Sequence, residues 1–301
     1  MIHSTIPKPV DRDEWLAARR PYFNASATSI LFDRHPYMSP GDYATIKLTG
    51  VEQSQTSAMR RGVMLEDAIA QWWGIEHACA VETVDELYVN GPMMATPDRW
   101  ALDDDCPIEI KTTSNYAPRP EPYWLDQCQS IMACTGADMC WLIWFDPSMA
   151  LNEYRVNAYP ELQAEILSRA ERFMAAIELG IVPDWIELSY DNIAKLHPEP
   201  EGVAELDDEA LNLVRELHTL RQIRKDAAKE EDLTKDAIAK LLLGHEVGTW
   251  NGIEVVTWKV TRPSTQLDVD MLRADHPDLV ERYSRERPGT RRMLVKLGEP
   301  A

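Results

Sequence analysis

Apolar and polar residues follow two different periods in the first half of the chain, and these periods predict helices and strands. Between residues 57 and 74, the segment SAMRRGVMLEDAIAQWWG repeats its apolar positions every three to four residues. This period predicts an amphipathic helix that ends at Gly74. Glu66, Ile69 and Trp73 share one face of that helix, so Glu66 is an acidic residue in an inward-facing row.

A hairpin and a third strand are predicted after this helix. Residues 85–102 contain the turn signal Asn90-Gly91 between two extended runs, which is typical of a β-hairpin. The acidic turn DDDC then leads into PIEIKTT, where polar and apolar residues alternate as in a strand. Glu109 and Lys111 therefore point to one face of this strand, and its two isoleucines point to the other.

A helix, a buried strand and a second helix complete the predicted core. Residues 121–136 read as a helix with Gly136 after its end, and the apolar run DMCWLIWF at 138–145 predicts a strand buried on both sides. A strand, a crossover helix and a buried strand indicate a βαβ unit. With a further amphipathic helix at 160–180, residues 87–180 predict an α/β fold with a central mixed sheet flanked by helices.

Composition divides the chain into three parts. Residues 1–182 are predicted to form the α/β domain, and residues 183–207, rich in proline and poor in apolar residues, to form a linker. Residues 208–301 predict a C-terminal α+β appendage. Its predicted elements are a charged helix at 208–243, a hairpin at a second Asn-Gly turn, a helix near 268–286 and a last strand at 291–297. Two roles for the appendage stay open: docking of a partner or subunit, and packing over the core.

Composition and charge narrow the class of protein. The 301 residues are 45% hydrophobic and 27% charged, as in ordinary globular proteins. The chain has neither an apolar run of membrane-spanning length nor a signal-peptide pattern, so we expect no membrane association and a cytoplasmic location. The five cysteines lack the spacing of a zinc or iron–sulfur site and predict reduced thiols. A net charge of −19 argues against broad coating of nucleic acid, although a local basic track remains compatible with it.

Carboxylates on the predicted strands suggest a site for a divalent metal. Asp98 and Glu109 lie on neighbouring strands with facing side chains, and the backbone carbonyl of Ile110 offers a third oxygen. Hard cations such as Mg²⁺ or Mn²⁺ prefer oxygen ligands. Lys111, on the same face as Glu109, would position an attacking water and balance charge on a phosphate. Taken alone, the Glu-x-Lys pattern also fits a surface ion pair on an edge strand.

Four short motifs, in this order along the chain, resemble the PD-(D/E)xK nuclease superfamily. They are RGVMLEDAI, TPDRW, IEIKTT and YWLDQCQSIMACTG. Together they are similar to the phage-type alkaline exonucleases, the lambda-exonuclease or YqaJ-like viral recombinases, and the similarity covers about residues 12–150. The resemblance implies that the α/β domain is a restriction-endonuclease-like nuclease core.

The resemblance also implies a catalytic set, whose members are Glu66, Asp98, Glu109, Lys111 and Gln127. The metal ligands would be Asp98, Glu109 and the Ile110 carbonyl, with Glu66 beside the metal directly or through water. Lys111 would be the catalytic lysine, and Gln127 would hold the scissile phosphate or the attacking water. Two Mg²⁺ ions are implied, with Mn²⁺ as an alternative.

Near the N-terminus, Arg19 and Ser26 resemble the arginine–serine pair that receives a terminal 5′-phosphate. Arg20 and Ser29 fit this pattern almost as well.

The activity implied by the resemblance is 5′-to-3′ exonuclease action on duplex DNA ends. Such an enzyme leaves single strands for a recombination partner such as an annealing protein, and the resemblance implies a ring trimer of subunits. Two alternatives stay open: an endonuclease or junction resolvase on the same fold, and a non-catalytic DNA-binding protein. Cutting of closed circular DNA would distinguish the endonuclease.

Overall fold

The computed structural model describes residues 4–51, 55–286 and 289–297. The chain forms two compact units, Met1–His197 and Pro198–Ala301. The strands of the first unit are β1 Ser4–Pro7, β2 Phe23–Asn24, β3 Val81–Thr83, β4 Glu86–Asn90, β5 Met93–Ala95, β6 Arg99–Ala101, β7 Cys106–Thr112, β8 Met139–Phe145 and β9 Leu151–Asn157. Its helices are α1 Arg12–Arg19, α2 Pro40–Thr49, α3 Ser57–His77, α4 Pro122–Thr135, α5 Pro160–Glu178 and α6 Tyr190–Leu196, with a 3₁₀ helix at Ala25–Phe32.

A five-stranded mixed sheet, in the order β3-β6-β7-β8-β9, forms the centre of this unit. β7 and β8 pair in parallel, and α4 is the crossover between them. The other three pairings are antiparallel. The predicted βαβ unit and the predicted mixed α/β fold are therefore confirmed. β9, which the sequence analysis did not identify, is an edge strand whose side chains are mostly exposed.

The two faces of this sheet are covered by different helices, because side chains alternate along β7. Ile108 and Ile110 pack against Ile69 and Trp73 of α3. On the opposite face, apolar residues of α4 pack against β8, as Cys128 does with Leu142. Glu109 pairs with Leu142 in the β7–β8 register and therefore faces α4. The alternation predicted for β7 is confirmed.

A separate four-stranded sheet has the order β1-β4-β5-β2. It contains the predicted hairpin, in which β4 and β5 pair antiparallel around Asn90-Gly91. Gly91 takes a φ of 56°, a left-handed conformation that a glycine adopts without strain. The second extended run does not continue as one strand, however. It divides between β5 and β6, which belong to different sheets, and Pro97 lies in the gap because it lacks the N–H that a ladder needs.

The end predicted for α3 at Gly74 is wrong, because the helix continues to His77 and is capped by Ala78. Gly74 has a tertiary role instead. A Cβ on Gly74 would lie 2.9 Å from the carbonyl oxygen of Cys79, so the returning chain approaches the helix where only glycine leaves room. The amide of Cys79 also donates to the Gly74 carbonyl at 3.0 Å.

The predicted linker at 183–207 contains α6, which begins with a capping box at Ser189. Asn192 of α6 is buried and donates through Nδ2 to Asp42 of α2 at 2.8 Å. The segment up to His197 thus packs within the first unit, and the domain limits proposed from the sequence remain a proposal.

The second unit contains α7 Asp208–Leu242, β10 Val247–Trp250, β11 Ile253–Thr257, α8 Val269–Asp275 and α9 Pro277–Tyr283. α7 and the β10–β11 hairpin agree with the predicted elements. The predicted helix at 268–286 is divided into two at His276 and Pro277, since proline cannot donate the next helical hydrogen bond. The strand predicted at 291–297 is wrong: these residues are described and form no strand, and the one sheet described in this unit has only β10 and β11.

Two predictions from composition can be compared with the described residues. Their five cysteines are free thiols, and four of these are buried. In the described part of the chain, no helix has the length and apolar character needed to cross a membrane.

Gly74→Ala tests the close approach of Cys79 to α3. We expect a loss of stability of about 1–3 kcal/mol, because the new methyl group overlaps a backbone oxygen that cannot move independently. Gly62→Ala is the matched control, since its Cβ would lie at an ordinary 3.6 Å from Thr112 Oγ1. Alanine is also favoured over glycine in a helix by about 1 kcal/mol. Urea unfolding of both variants measures the difference, and equal stabilities would contradict this reading of Gly74.

Candidate active site

β6 and β7 bring the two predicted metal ligands together. In their antiparallel register Arg99 pairs with Ile108, which places Asp98, one residue earlier, opposite Glu109. The Asp98 amide donates to the Ile108 carbonyl at 3.1 Å. The Asp98 carboxylate accepts a 2.7 Å hydrogen bond at Oδ2 from the amide of Ile110. Backbone pairing thus fixes Asp98 beside Glu109.

Glu109, Lys111 and Gln127 form a closed triangle of hydrogen bonds. Lys111 Nζ donates to Glu109 Oε1 at 2.5 Å and to Gln127 Oε1 at 2.8 Å. Gln127 Nε2 donates to the same Glu109 oxygen at 2.6 Å. Gln127 projects from α4, so the crossover helix supplies the third member of the set. Glu109 is only 2% exposed and β7 is an inner strand, which rules out a surface ion pair on an edge strand.

The carboxylates of this site repel one another. Burial raises the pKa of Asp98 well above its ordinary value, and the negative charges of Glu109 and Glu66 raise it further. Burial also raises the pKa of Glu109, although the Lys111 ammonium opposes the shift. Burial alone would lower the pKa of Lys111, but attraction to Glu109 and Asp98 outweighs it and the pKa is raised. Lys111 is therefore a cation at neutral pH.

Arg99 holds Glu66 and is a residue that the sequence analysis missed. Its guanidinium donates to Glu66 Oε1 at 2.5 Å and also to Asp67 and to the Asp98 carbonyl. The side chain is almost fully buried between α3 and β6. Arg99 thus connects the helix that carries Glu66 to the backbone of Asp98. The alternation of side chains along the strands could have identified it, because Arg99 pairs with Ile108 and points to the same inward face.

One oxygen of this site has no partner. Glu109 Oε2 is buried and accepts no hydrogen bond from any described residue. An unpaired buried carboxylate oxygen is costly, and a cation is the ligand that would satisfy it. Asp98 offers a second carboxylate next to it, so the donor set fits a hard divalent ion.

Among the described residues, no three His, Cys, Asp or Glu side chains are grouped so that they could hold a metal ion. The carboxylates of the site are instead engaged in hydrogen bonds. Glu66 is turned to Arg99, and one oxygen of Glu109 is shared by Lys111 and Gln127.

The predicted phosphate-binding residues lie near the end of α1. Arg19 Nη2 donates to Ser26 Oγ at 3.4 Å, and its guanidinium stacks on Trp15 at 4.1 Å. Arg20 instead reaches the carbonyl of Leu48 at 3.5 Å, and Ser29 is buried. Of the two alternatives left open by the sequence, the structure therefore pairs Arg19 with Ser26.

A buried lysine that the sequence analysis did not single out orders this end of α1. Lys47 Nζ of α2 donates to the carbonyls of Arg19, Arg20 and Tyr22 at 3.1, 3.3 and 2.5 Å. A cation among the last carbonyls of a helix is favourable, since these oxygens carry the negative end of the helix dipole.

The comparisons with known proteins agree with the motifs. Residues 14–138, somewhat less than half of the chain, match the YqaJ-like viral recombinase domain. No curated protein matches the chain. Among solved structures, the alkaline exonuclease LHK-Exo of Laribacter hongkongensis is 27% identical with a TM-score of 0.48, and the match covers 56% of this chain and 93% of that one.

Two further structures are similar to a comparable extent. LHK-Exo in complex with dAMP has a TM-score of 0.49 at 27% identity, over 56% of this chain and 93% of that one. A phage-related exonuclease from Haemophilus somnus 129PT has a TM-score of 0.42 at 13% identity, over 52% of this chain and 94% of that one.

The family match confirms the resemblance seen in the motifs. The matched segment contains all five members of the candidate catalytic set. The match to the YqaJ-like viral recombinase domain supports a nuclease of the lambda-exonuclease-like PD-(D/E)xK class for this segment.

Asp98→Asn tests the repulsion at the site in the absence of metal. A carboxyl group with a raised pKa stabilises the fold below its ordinary pKa, and this contribution is lost as the pH rises through the raised value. In EDTA we therefore expect the variant to melt about 2–4 °C above the wild type at pH 8, with a smaller difference at pH 5. Asp138→Asn, at an exposed position before β8, is the control. A difference that does not change with pH would contradict the repulsion.

Proposed function

We propose that this protein is a divalent-metal-dependent exonuclease that degrades duplex DNA from its ends in the 5′-to-3′ direction. The observation that carries the proposal is the cluster of Asp98, Glu109, Lys111 and Gln127, in which the buried Glu109 Oε2 lacks a partner. This cluster lies within the YqaJ-like segment. Two neighbouring carboxylates, of which Glu109 is buried, next to an ammonium group suit the hydrolysis of a phosphodiester.

In this proposal Asp98, Glu109 and the carbonyl of Ile110 hold the metal, and Glu66 stands beside it directly or through water. Bound Mg²⁺, as two ions, or Mn²⁺ in its place, would activate water and stabilise the negative charge of the phosphate. Glu66 would have to exchange its bond with Arg99 to contact the metal itself. When Glu66 does not contact the metal, the guanidinium of Arg99 therefore neutralises its charge.

Lys111 acts as a cation in this mechanism. Its pKa is raised, so the ammonium keeps its protons and does not serve as a general base at neutral pH. It would orient the attacking water and stabilise charge on a phosphate oxygen. Gln127 holds Lys111 through its Oε1 and Glu109 through its Nε2, so the amide fixes the separation of both groups. From this position Gln127 would also contact the scissile phosphate or the water.

The preference for a 5′ end rests on the pairing of Arg19 with Ser26. A guanidinium and a hydroxyl at 3.4 Å offer several donors to a phosphate oxygen. We extend the proposal to the partners that the resemblance implies: a ring trimer around the duplex, and an annealing protein that receives the single strand. With a net charge of −19, DNA would have to contact a locally basic lining.

The test of the proposed activity is digestion of linear duplex DNA with 5′-phosphates beside the same DNA as a closed circle. We expect loss of the linear form only, and only with Mg²⁺ rather than EDTA. Lys111→Ala is the inactive control, with an expected loss of about 100-fold or more, typical of a removed charge-stabilising group. Cutting of the circle would support an endonuclease, and no cutting of either form would leave a DNA-binding protein.

Arg19→Ala tests the recognition of the terminal phosphate. Because the guanidinium would bind the phosphate directly, we expect cleavage of 5′-phosphorylated ends to fall about 10-fold. Cleavage of 5′-hydroxyl ends should change little. Arg20→Ala is the matched control, since this neighbouring arginine contacts the Leu48 carbonyl instead of Ser26. Initial rates on both substrates measure the effect, and equal losses on both would contradict the assignment.

A further inference from the structure

An aromatic cluster lies one helical turn from Gln127, and neither the motifs nor the family match assigns it a role. It consists of His35 and Tyr37, in the loop before α2, and Tyr123, in the first turn of α4. The ring centroids are 6.1 Å apart for His35–Tyr37, 6.0 Å for His35–Tyr123 and 6.2 Å for Tyr37–Tyr123. Tyr37 is 76% exposed, so its ring is accessible to a ligand.

The cluster is close to the catalytic set because of the register of α4. Tyr123 and Gln127 are four residues apart, so they project from the same face of the helix. Gln127 contacts both Glu109 and Lys111. The ammonium of Lys111 also acts on His35, whose pKa is lowered by burial and then by this charge. The exposed ring of Tyr37 and the partly buried rings of His35 and Tyr123 therefore lie near the position proposed for the scissile phosphate.

The cluster is held in place by an ion pair. Arg34, next to His35, donates from Nε to Asp126 Oδ2 at 2.8 Å, and its Nη2 contacts the other carboxylate oxygen. Asp126 is buried on α4, three residues after Tyr123. Within the loop, the amide of Tyr37 donates to His35 Nδ1 at 3.3 Å. That bond leaves the hydrogen of the neutral imidazole on Nε2, so the ring is an uncharged stacking surface.

We propose that His35, Tyr37 and Tyr123 form a platform that stacks on a nucleobase adjoining the cleaved bond. The proposal rests on the proposed nuclease function. Residues four apart on a helix are separated by about 5–6 Å at their Cβ atoms, so Tyr123 and Gln127 are neighbours on the surface of α4. Aromatic faces bind any base, because every base has a π-face. The platform would therefore hold DNA without regard to its sequence.

The experiment compares two linear 5′-phosphorylated duplexes, one with normal bases at the two 5′-terminal nucleotides and one with abasic sugars there. Tyr37→Ala is the informative variant because the side chain is exposed, so its removal leaves the core intact. We expect this variant to cleave the normal duplex about 10-fold more slowly under single-turnover conditions. On the abasic duplex the variant and the wild type should be equal, since no base remains to stack.

Two variants serve as controls. Tyr37→Phe keeps the ring and should behave as the wild type. Tyr159→Ala removes a tyrosine that is 56% exposed at the start of α5 and lies outside the cluster, and it should have no effect. A loss that is equal on normal and abasic ends would overturn the platform, and so would the absence of any loss.

A binding measurement separates this proposal from the proposed function. With 2-aminopurine at the 5′-terminal nucleotide, binding in EDTA should quench the fluorescence for the wild type and much less for Tyr37→Ala. If the wild type with Mg²⁺ cuts no DNA, the nuclease proposal fails. The difference in quenching between the wild type and Tyr37→Ala then tests the platform by itself. If the wild type cuts DNA but quenching is the same for both proteins, only the platform is overturned.

Discussion

The shared hydrogen bonds on Glu109 Oε1 are the interaction on which the rest of the site depends. Lys111 reaches this oxygen from the same strand, and Gln127 reaches it from α4. A carboxylate that is 2% exposed would be very unfavourable without such donors. Because both donors lie on elements of one βαβ unit, the parallel pairing of β7 and β8 sets their separation. The pairing of the strands therefore determines the relative positions of Glu109, Lys111 and Gln127.

Arg99, on the opposite face of the sheet, also affects the charges of the site. It faces α3 while Asp98 and Glu109 face α4, yet it bonds to the Asp98 carbonyl as well as to Glu66 and Asp67. Arg99 is paired with Glu66, and Lys111 is paired with Glu109. Repulsion between Asp98 and Glu109 nevertheless remains, as their raised pKa values indicate. The positive side chains near Asp98 therefore do not fully compensate the negative charge around its carboxylate.

Local signals made much of the fold and the candidate site predictable. The Asn90-Gly91 turn, the alternation of β7 and the apolar run of β8 are encoded within a few residues, and each was interpreted correctly. Features that depend on distant contacts were missed. Gly74 resembles a helix-ending glycine in the sequence, but its lack of a side chain allows the backbone of Cys79 to pack closely against α3. The edge strand β9 is too polar to be recognised, and the 291–297 segment has strand-like residues but no described neighbouring strand.

The crossover through α4 has a consequence for how the site comes into existence. Glu109 and Lys111 are neighbours along the chain, but Gln127 contacts them only where α4 is packed against β7. Parallel pairing of this kind closes a long loop and is slow compared with a hairpin. Without α4 and β8, the charged pair of Glu109 and Lys111 on β7 would be exposed to water. The candidate site is therefore complete only in a chain whose βαβ unit is assembled, and a chain without that unit lacks the contacts of Gln127 with Glu109 and Lys111.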